Sequence, residues 1–298
     1  MSIVGANGIE LAFDSFGEAA DPAILLIAGL GTQMIRWTVP FCTGLAARGY
    51  RVVRFDNRDA GCSTHLHHGT PPDLGALVAA LMAGRRPELP YTLVDMAADA
   101  VGLLDALAIG RAHVVGRSMG GMIAQIMASE HPERVLSLTS IMSSTGNPAL
   151  PQAAPDLLAL MMRPAPDPQA DPAAFLAHRL ALARRLAGTG HPFDEQAHGA
   201  LVLEETRRDY DPAGTARQLA AMVAAGDRRQ HLARIAAPTL VIHGGDDPLV
   251  PPACGRDTAA AIPKAELLLI EGMGHDLPAA LQDTLIAAID RHARRASA

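Results

Sequence analysis

AHVVGRSMGG, residues 112–121, is the stretch on which the reading of this chain turns. An apolar run ends at Gly116, a helix-like run begins after Met119, and Ser118 stands between them. Gly116 lies two residues before the serine and Gly120 two after it, which gives G-x-S-x-G in a strand–turn–helix setting. A serine held on so sharp a turn needs small flanking residues, because side chains there would clash with the crossing backbone. Gly121 lets the helix lie close to the neighbouring strand. The bare pattern also describes an ordinary Gly-rich turn with a serine cap; the strand before it and the helix after it are what give it weight.

Outward from this elbow, short apolar runs alternate with helical segments. Ile9, Leu11 and Phe13 alternate with polar or small residues, as in a half-buried strand. AILLIAG (23–29), RVVRFD (51–56), VLSLTSIM (135–142), TLVIHG (239–244) and ELLLI (266–270) are rich in Val, Ile and Leu without strict alternation. Such runs fit strands covered on both faces, as in a parallel sheet. Helical spacing joins Leu93, Met96, Ala97, Ala100, Leu103, Leu104 and Leu107, then Ile123, Ile126 and Met127, then Leu281, Leu285, Ile286 and Ile289. The expected fold class is α/β, a doubly wound, mostly parallel sheet. From Thr145 to Gln230 no strand is evident, only the Pro-punctuated helical pieces PDLLALMM, FLAHRLALARRLA and ARQLAAMVAA. A structureless loop of that length is improbable. Residues 1–144 and 231–298 are therefore expected to form the core, and 145–230 an inserted helical cap at the strand ends where open α/β sheets bind ligands. Between His65 and Pro90 a loop with one short helix, DLGALVAALM, is expected.

Composition narrows the function. A hydrophobic content of 49% against 19% charged residues belongs to a compact globule and excludes disordered and fibrous classes. The net charge of −6 and the lack of a basic stripe exclude a phosphate-neutralising surface, so no nucleic-acid partner is expected. MSIVGANGIE lacks the basic flank of a secretory signal, and the apolar run 23–31 falls short of the roughly 20 residues that span a bilayer. Cys42, Cys62 and Cys254 show neither disulfide nor metal-ligand spacing. The expectation is a cytoplasmic protein with no membrane partner, no metal and no cofactor.

A serine hydroxyl is a poor nucleophile until a base takes its proton, and the base needs an orienting acid. After the elbow, TLVIHGGDDPLVP (239–251) is a strand and a loop bearing Asp246 and Asp247. ELLLIEGMGHDLP (266–278) is a strand and a Gly-rich loop bearing His275. The order Ser118, Asp247, His275 is that of a hydrolytic triad on an open α/β sheet, every member at a strand C-terminal end. Asp247 is preferred as the acid; Asp246 is read as a turn cap or a solvent-facing residue. The alternative acid position, after the next strand, reads Ser143, Ser144 and Thr145, with no carboxylate. Two main-chain N–H groups should form an oxyanion hole, those of Met119 and of Leu30 in Ala28-Gly29-Leu30-Gly31. Gly29, Met34, Met142, Met161 and Met162 are candidate pocket residues, with core packing as the competing account of the methionines. His65, His67 and His68 could bind a metal but lack a Cys or carboxylate at ligand spacing. His113 and His243 are read as satisfied core or edge residues of strands, and Asp95, Asp99 and Asp105 as the solvated face of a helix.

Together these residues resemble the α/β-hydrolase superfamily over most of the chain outside the insertion. DNRDAGCST (56–64) is similar to the loop after the fourth core strand, usually D-x-R-G-x-G-x-S, with Asp59 in place of Gly as in esterases of the aclacinomycin methylesterase kind. Residues 91–121 and GMGHDLP (272–278) resemble the same esterases. Arg117 departs from the pattern, since the residue before the serine is usually uncharged. The resemblance implies a triad of Ser118, Asp247 and His275 with Leu30 and Met119 as oxyanion donors. It also implies a small-molecule carboxylic ester as partner, cleaved through an acyl-enzyme. A methyl esterase, a lactonase, a perhydrolase and a C–C hydrolase share that triad, and a slow-turnover ligand receptor can retain it. Haloalkane dehalogenases are excluded, because their elbow carries Asp where this chain has Ser118.

Overall fold

The computed structural model describes residues 1–66 and 72–297. Asn7 (φ 49°) and Gly8 (φ 79°) turn the chain between β1 (Ser2–Ala6) and β2 (Ile9–Phe16), which pair antiparallel. Two positive φ values in succession make the tight hairpin that matches strand twist. There follow β3 (Ala23–Ile27), α1 (Val39–Ala46), β4 (Arg51–Phe55), α2 (Leu74–Met82), α3 (Leu93–Ala106), β5 (Ala112–Arg117), α4 (Met119–Glu130) and β6 (Val135–Ile141). Five helices come next: α5 (Pro155–Met162), α6 (Pro172–Leu186), α7 (Glu195–Arg208), α8 (Pro212–Ala225) and α9 (Arg229–Leu232). The chain closes with β7 (Thr239–Gly244), α10 (Pro252–Ala261), β8 (Glu266–Ile270) and α11 (Gln282–Ser297).

The strands form one sheet in the order β1-β2-β4-β3-β5-β6-β7-β8, with β2 antiparallel to both its neighbours, β1 and β4, and every other pair parallel. All five residues of β3 are buried, because both faces of the sheet are covered. Leu25 and Ile27 point into one apolar layer with Leu103, Val114 and Ile123. Ile24 and Leu26 point into the other with Leu45, Val115 and Leu285. Burying each such side chain contributes about 1.5–3 kcal/mol.

Among the helices between β6 and β7, α6 packs on α5 and α7, and α7 on the short turn Met34–Arg36. α8 lies on α2 and α3, and α9 on α4 and α10. Ion pairs tie this group to the loops of the sheet: Arg36 to Glu205, Arg208 to Asp56 and Arg217 to Asp59. Asp99, expected on a solvated face, is instead buried, with Arg58 Nε and Nη2 each 2.6 Å from its carboxylate oxygens. A charge can turn inward when a guanidinium fork meets it there. No helix among the described residues is long and apolar enough to cross a membrane.

Candidate active site

Ser118 sits between β5 and α4 with φ 53° and ψ −123°, a conformation that costs a non-glycine residue strain of order 1–3 kcal/mol. The flanking glycines are what make the turn possible. A Cβ on Gly116 would overlap the backbone of Gly120, and one on Gly120 would overlap the carbonyls of Ile27 and Ala28. One on Gly121 would lie 2.6 Å from Cβ of Ser143. The Ser118 main chain is pinned as well: its N–H donates to Ile141 O (2.9 Å), and its carbonyl accepts from the Ser143 hydroxyl (2.8 Å).

The structure brings the three expected side chains together. Nε2 of His275 is 3.0 Å from Oγ of Ser118, and Nδ1 is 2.8 Å from Oδ2 of Asp247. Oδ1 of Asp247 accepts the N–H groups of Leu249 (2.9 Å) and Val250 (2.8 Å), so the carboxylate is held on both oxygens. It can accept only from a protonated Nδ1, which leaves Nε2 as acceptor for the serine proton. The His275 loop is fixed in turn, its N–H donating to Leu186 O at 2.8 Å. Asp246 belongs elsewhere. Partly exposed, it accepts the N–H (3.3 Å) and the hydroxyl of Thr189, just beyond α6.

The loop after β3 lies against the elbow, since a Cβ on Gly29 would be 3.3 Å from Cβ of Ser118. The Gly31 and Thr32 N–H groups are spent on Gln218 Oε1 (2.9 Å) and Gly29 O (3.3 Å). Those of Leu30 and Met119 have no protein acceptor among the described residues; Met119, first in α4, precedes the intrahelical ladder. The methionines divide differently from expectation. Met34 and Met142 are fully buried, Met142 in the apolar layer with Trp37, Val115 and Ile242, and Met162 is 58% exposed. Core packing, the competing account, covers Met34 and Met142, and the end of α5 turns Met162 to solvent. Met161 is half-buried beside it.

Sequence reasoning missed a buried polar cluster next to the elbow. Arg36 Nε and Nη2 fork onto Glu205 (2.7 and 2.6 Å), Arg36 Nη1 is 3.0 Å from His198 Nε2, and Arg179 Nη2 is 3.9 Å from Glu205. Burial pushes the Glu205 carboxyl up, but Arg36 and Arg179 outweigh it and hold the group below its ordinary value. Burial and Arg36 pull His198 down to about 4. No apolar stripe marks α7 in the sequence; the run of charges EETRR at its end was the available signal. His65 is 2.9 Å from Asp211, and oxygen atoms of Asp59 and Asp211 with a ring nitrogen of His65 lie within 4.8 Å of one another. The Arg217 guanidinium already stands among them, at 2.8 Å from both Asp59 oxygens and 3.0 Å from Asp211, where a cation would sit. His67 and His68 lie outside the described residues.

Residues 22–278 match the family described by the alpha/beta hydrolase fold. The chain belongs to the α/β-hydrolase family. This α/β hydrolase is 32% identical to rhodomycin D methylesterase DauP of Streptomyces sp. (strain C5), over 99% of this chain and 98% of the relative. It is 31% identical to rhodomycin D methylesterase DnrP of Streptomyces peucetius, over 97% and 96% of the two chains. It is accordingly an enzyme, a hydrolase of the esterase class. The same α/β-hydrolase fold is seen in an enol-lactonase from Burkholderia xenovorans LB400 (TM-score 0.71, 22% identity, 98% and 99% of the chains covered). It recurs in a meta-cleavage product hydrolase from Pseudomonas fluorescens IP01 (TM-score 0.76, 18% identity, 99% and 98% covered).

Proposed function

We propose that this chain is a serine carboxylesterase acting on a small-molecule ester, with Ser118 as nucleophile, His275 as base and Asp247 as orienting acid. The observation that carries the reading is the unbroken relay from Ser118 Oγ to His275 (3.0 Å) to Asp247 (2.8 Å). As Oγ attacks the ester carbonyl, its proton passes to Nε2 of His275. The Leu30 and Met119 N–H groups receive the oxyanion, and residues 145–230 act as the cap over the reacting centre. His275 returns the proton to the departing alcohol and leaves an acyl group on Ser118. A water molecule deprotonated by the same imidazole then releases the acid. The two relatives named as methylesterases support a methyl ester as the substrate class.

The reaction is tested by following methanol release from a panel of methyl esters, and aryl alcohol from short-chain aryl esters, with wild type and Ser118→Ala. Removal of the nucleophile is expected to lower kcat by about 10⁴-fold or more. Turnover that survives the substitution, or product that contains a ketone fragment and no alcohol, would overturn the assignment.

A further inference from the structure

Ester cleavage as just described makes no use of Arg117, although it precedes the nucleophile directly. Its side chain leaves the C-terminal end of β5 half-buried, with the guanidinium 5.9 Å from the centroid of the Trp37 ring. None of its five N–H donors has a protein acceptor among the described residues, and Nε is out of reach of water as well. A buried donor left unmatched is costly, and more so on a charged group, so it calls for a partner.

The nearby carboxylates do not supply one. Glu205 faces Arg117 but is engaged by the fork of Arg36 and by Arg179. Asp276, next after His275, makes no ion pair with Arg117 within 4.0 Å, and its Oδ1 is buried without a donor. Burial raises the Asp276 carboxyl above its ordinary value. Burial and Arg36 bring Arg117 down to about 10, which leaves it cationic at neutral pH. Arg36 and Arg179 thus take up Glu205, and the guanidinium of Arg117, one residue from Ser118, is left without an ion pair within 4.0 Å among the described residues. The Trp37 ring, 5.9 Å away, offers the guanidinium its π face but no hydrogen-bond acceptor.

We propose that Arg117 is the carboxylate-binding element of the substrate pocket, so that the favoured ester carries a second, ionised carboxyl group close to the ester that is cleaved. This rests on the serine-esterase reading. A planar fork of donors suits a carboxylate, and an incoming carboxylate would satisfy donors that the fold leaves open. Arg117 is then a residue that sets specificity, reached by the part of the substrate that does not react.

The probe pair is monomethyl glutarate, which bears a carboxylate, and dimethyl glutarate, which does not. Wild type is expected to favour the monoester in kcat/KM by 10-fold or more, chiefly through KM, and the ratio should shrink as salt is added. Arg117→Gln should reduce that ratio by 10-fold or more, and Arg117→Lys should recover part of it. A wild-type ratio near one, which needs no variant to measure, or an undiminished ratio in Arg117→Gln, would overturn the proposal. If hydrolysis of both esters survives Ser118→Ala, it is the esterase reading that fails. Calorimetric titration with glutarate then decides the subsite by itself: binding to wild type that weakens in Arg117→Gln supports it, and equal or absent binding rejects it.

Discussion

In the proposed mechanism, the position of one proton at His275 decides whether Ser118 can be activated. Asp247 presents Oδ1 to the N–H groups of Leu249 and Val250 and Oδ2 to the imidazole. Asparagine at 247 could keep Oδ1 on those two N–H groups, but its NH₂ would then face Nδ1 and donate to it. The ring would take the other tautomer, with the proton on Nε2, and could no longer accept from Ser118. Asp247→Asn is therefore expected to lower kcat by roughly 10⁴-fold, with KM little changed. The melting temperature should stay within a few degrees of wild type, because the loop bonds survive. Activity within 10-fold of wild type would show that Asp247 does not set the tautomer. All three residues were legible in sequence because each follows an apolar strand, in the chain order the proposed chemistry uses. Arg36, Glu205 and Arg179 were not, since they meet across 169 and 26 residues and no local pattern announces the meeting.

Between elements, buried charge does what apolar packing does inside the sheet. Asp59, in the loop after β4, accepts from both Arg217 Nε and Nη2 on α8 (2.8 Å each), from the Tyr91 hydroxyl (2.6 Å) and from the Leu66 N–H (2.7 Å). Both charged residues are nearly inaccessible, Asp59 at 1% and Arg217 at 4%. Arg217→Met would strand a carboxylate and should destabilise the fold by about 3–5 kcal/mol. The double variant Asp59→Asn/Arg217→Met, which strands no charge, should be destabilised by less than the two single changes summed. Urea unfolding of the four proteins checks this; simple additivity would mean that the pair is not coupled. This way of joining elements also explains what periodicity missed. The apolar strands and the helices α5, α6 and α8 were read from the sequence, whereas α7 turns Gly199, Val202 and Glu205 inward and shows no apolar stripe. β1 was missed because it is short and mostly exposed, although Asn7-Gly8 was a legible hairpin signal. Asp99 was misplaced because its partner, Arg58, lies 41 residues away.

Across the whole molecule the sheet has two chemically different ends. Its C-terminal edge carries Ser118, Asp247 and His275; near its other edge His113 and His292 are buried, at 2% and 6% exposure. Nδ1 of His113, on β5, is 2.9 Å from the Ser137 hydroxyl on β6, and its ring meets Tyr50 edge-on at 6.0 Å. Burial, then His292 and Arg111, depress His113 to about 4, and burial also lowers His292. An unfolded histidine titrates near 6.5. Between those values the unfolded chain binds a proton that the folded chain refuses, so stability falls as the pH drops below about 6.5 and levels off for His113 below about 4. At pH 5 the loss from His113 is on the order of 2 kcal/mol relative to neutral pH. Urea unfolding at pH 7.5 and pH 5 should show that decline in wild type, and His113→Gln, which has nothing to protonate there, should remove about that share of it. The variant is expected to be less stable at pH 7.5, so the quantity that decides is the difference between the two pH values. An equal decline in both proteins would mean that acid unfolds this sheet from some other group.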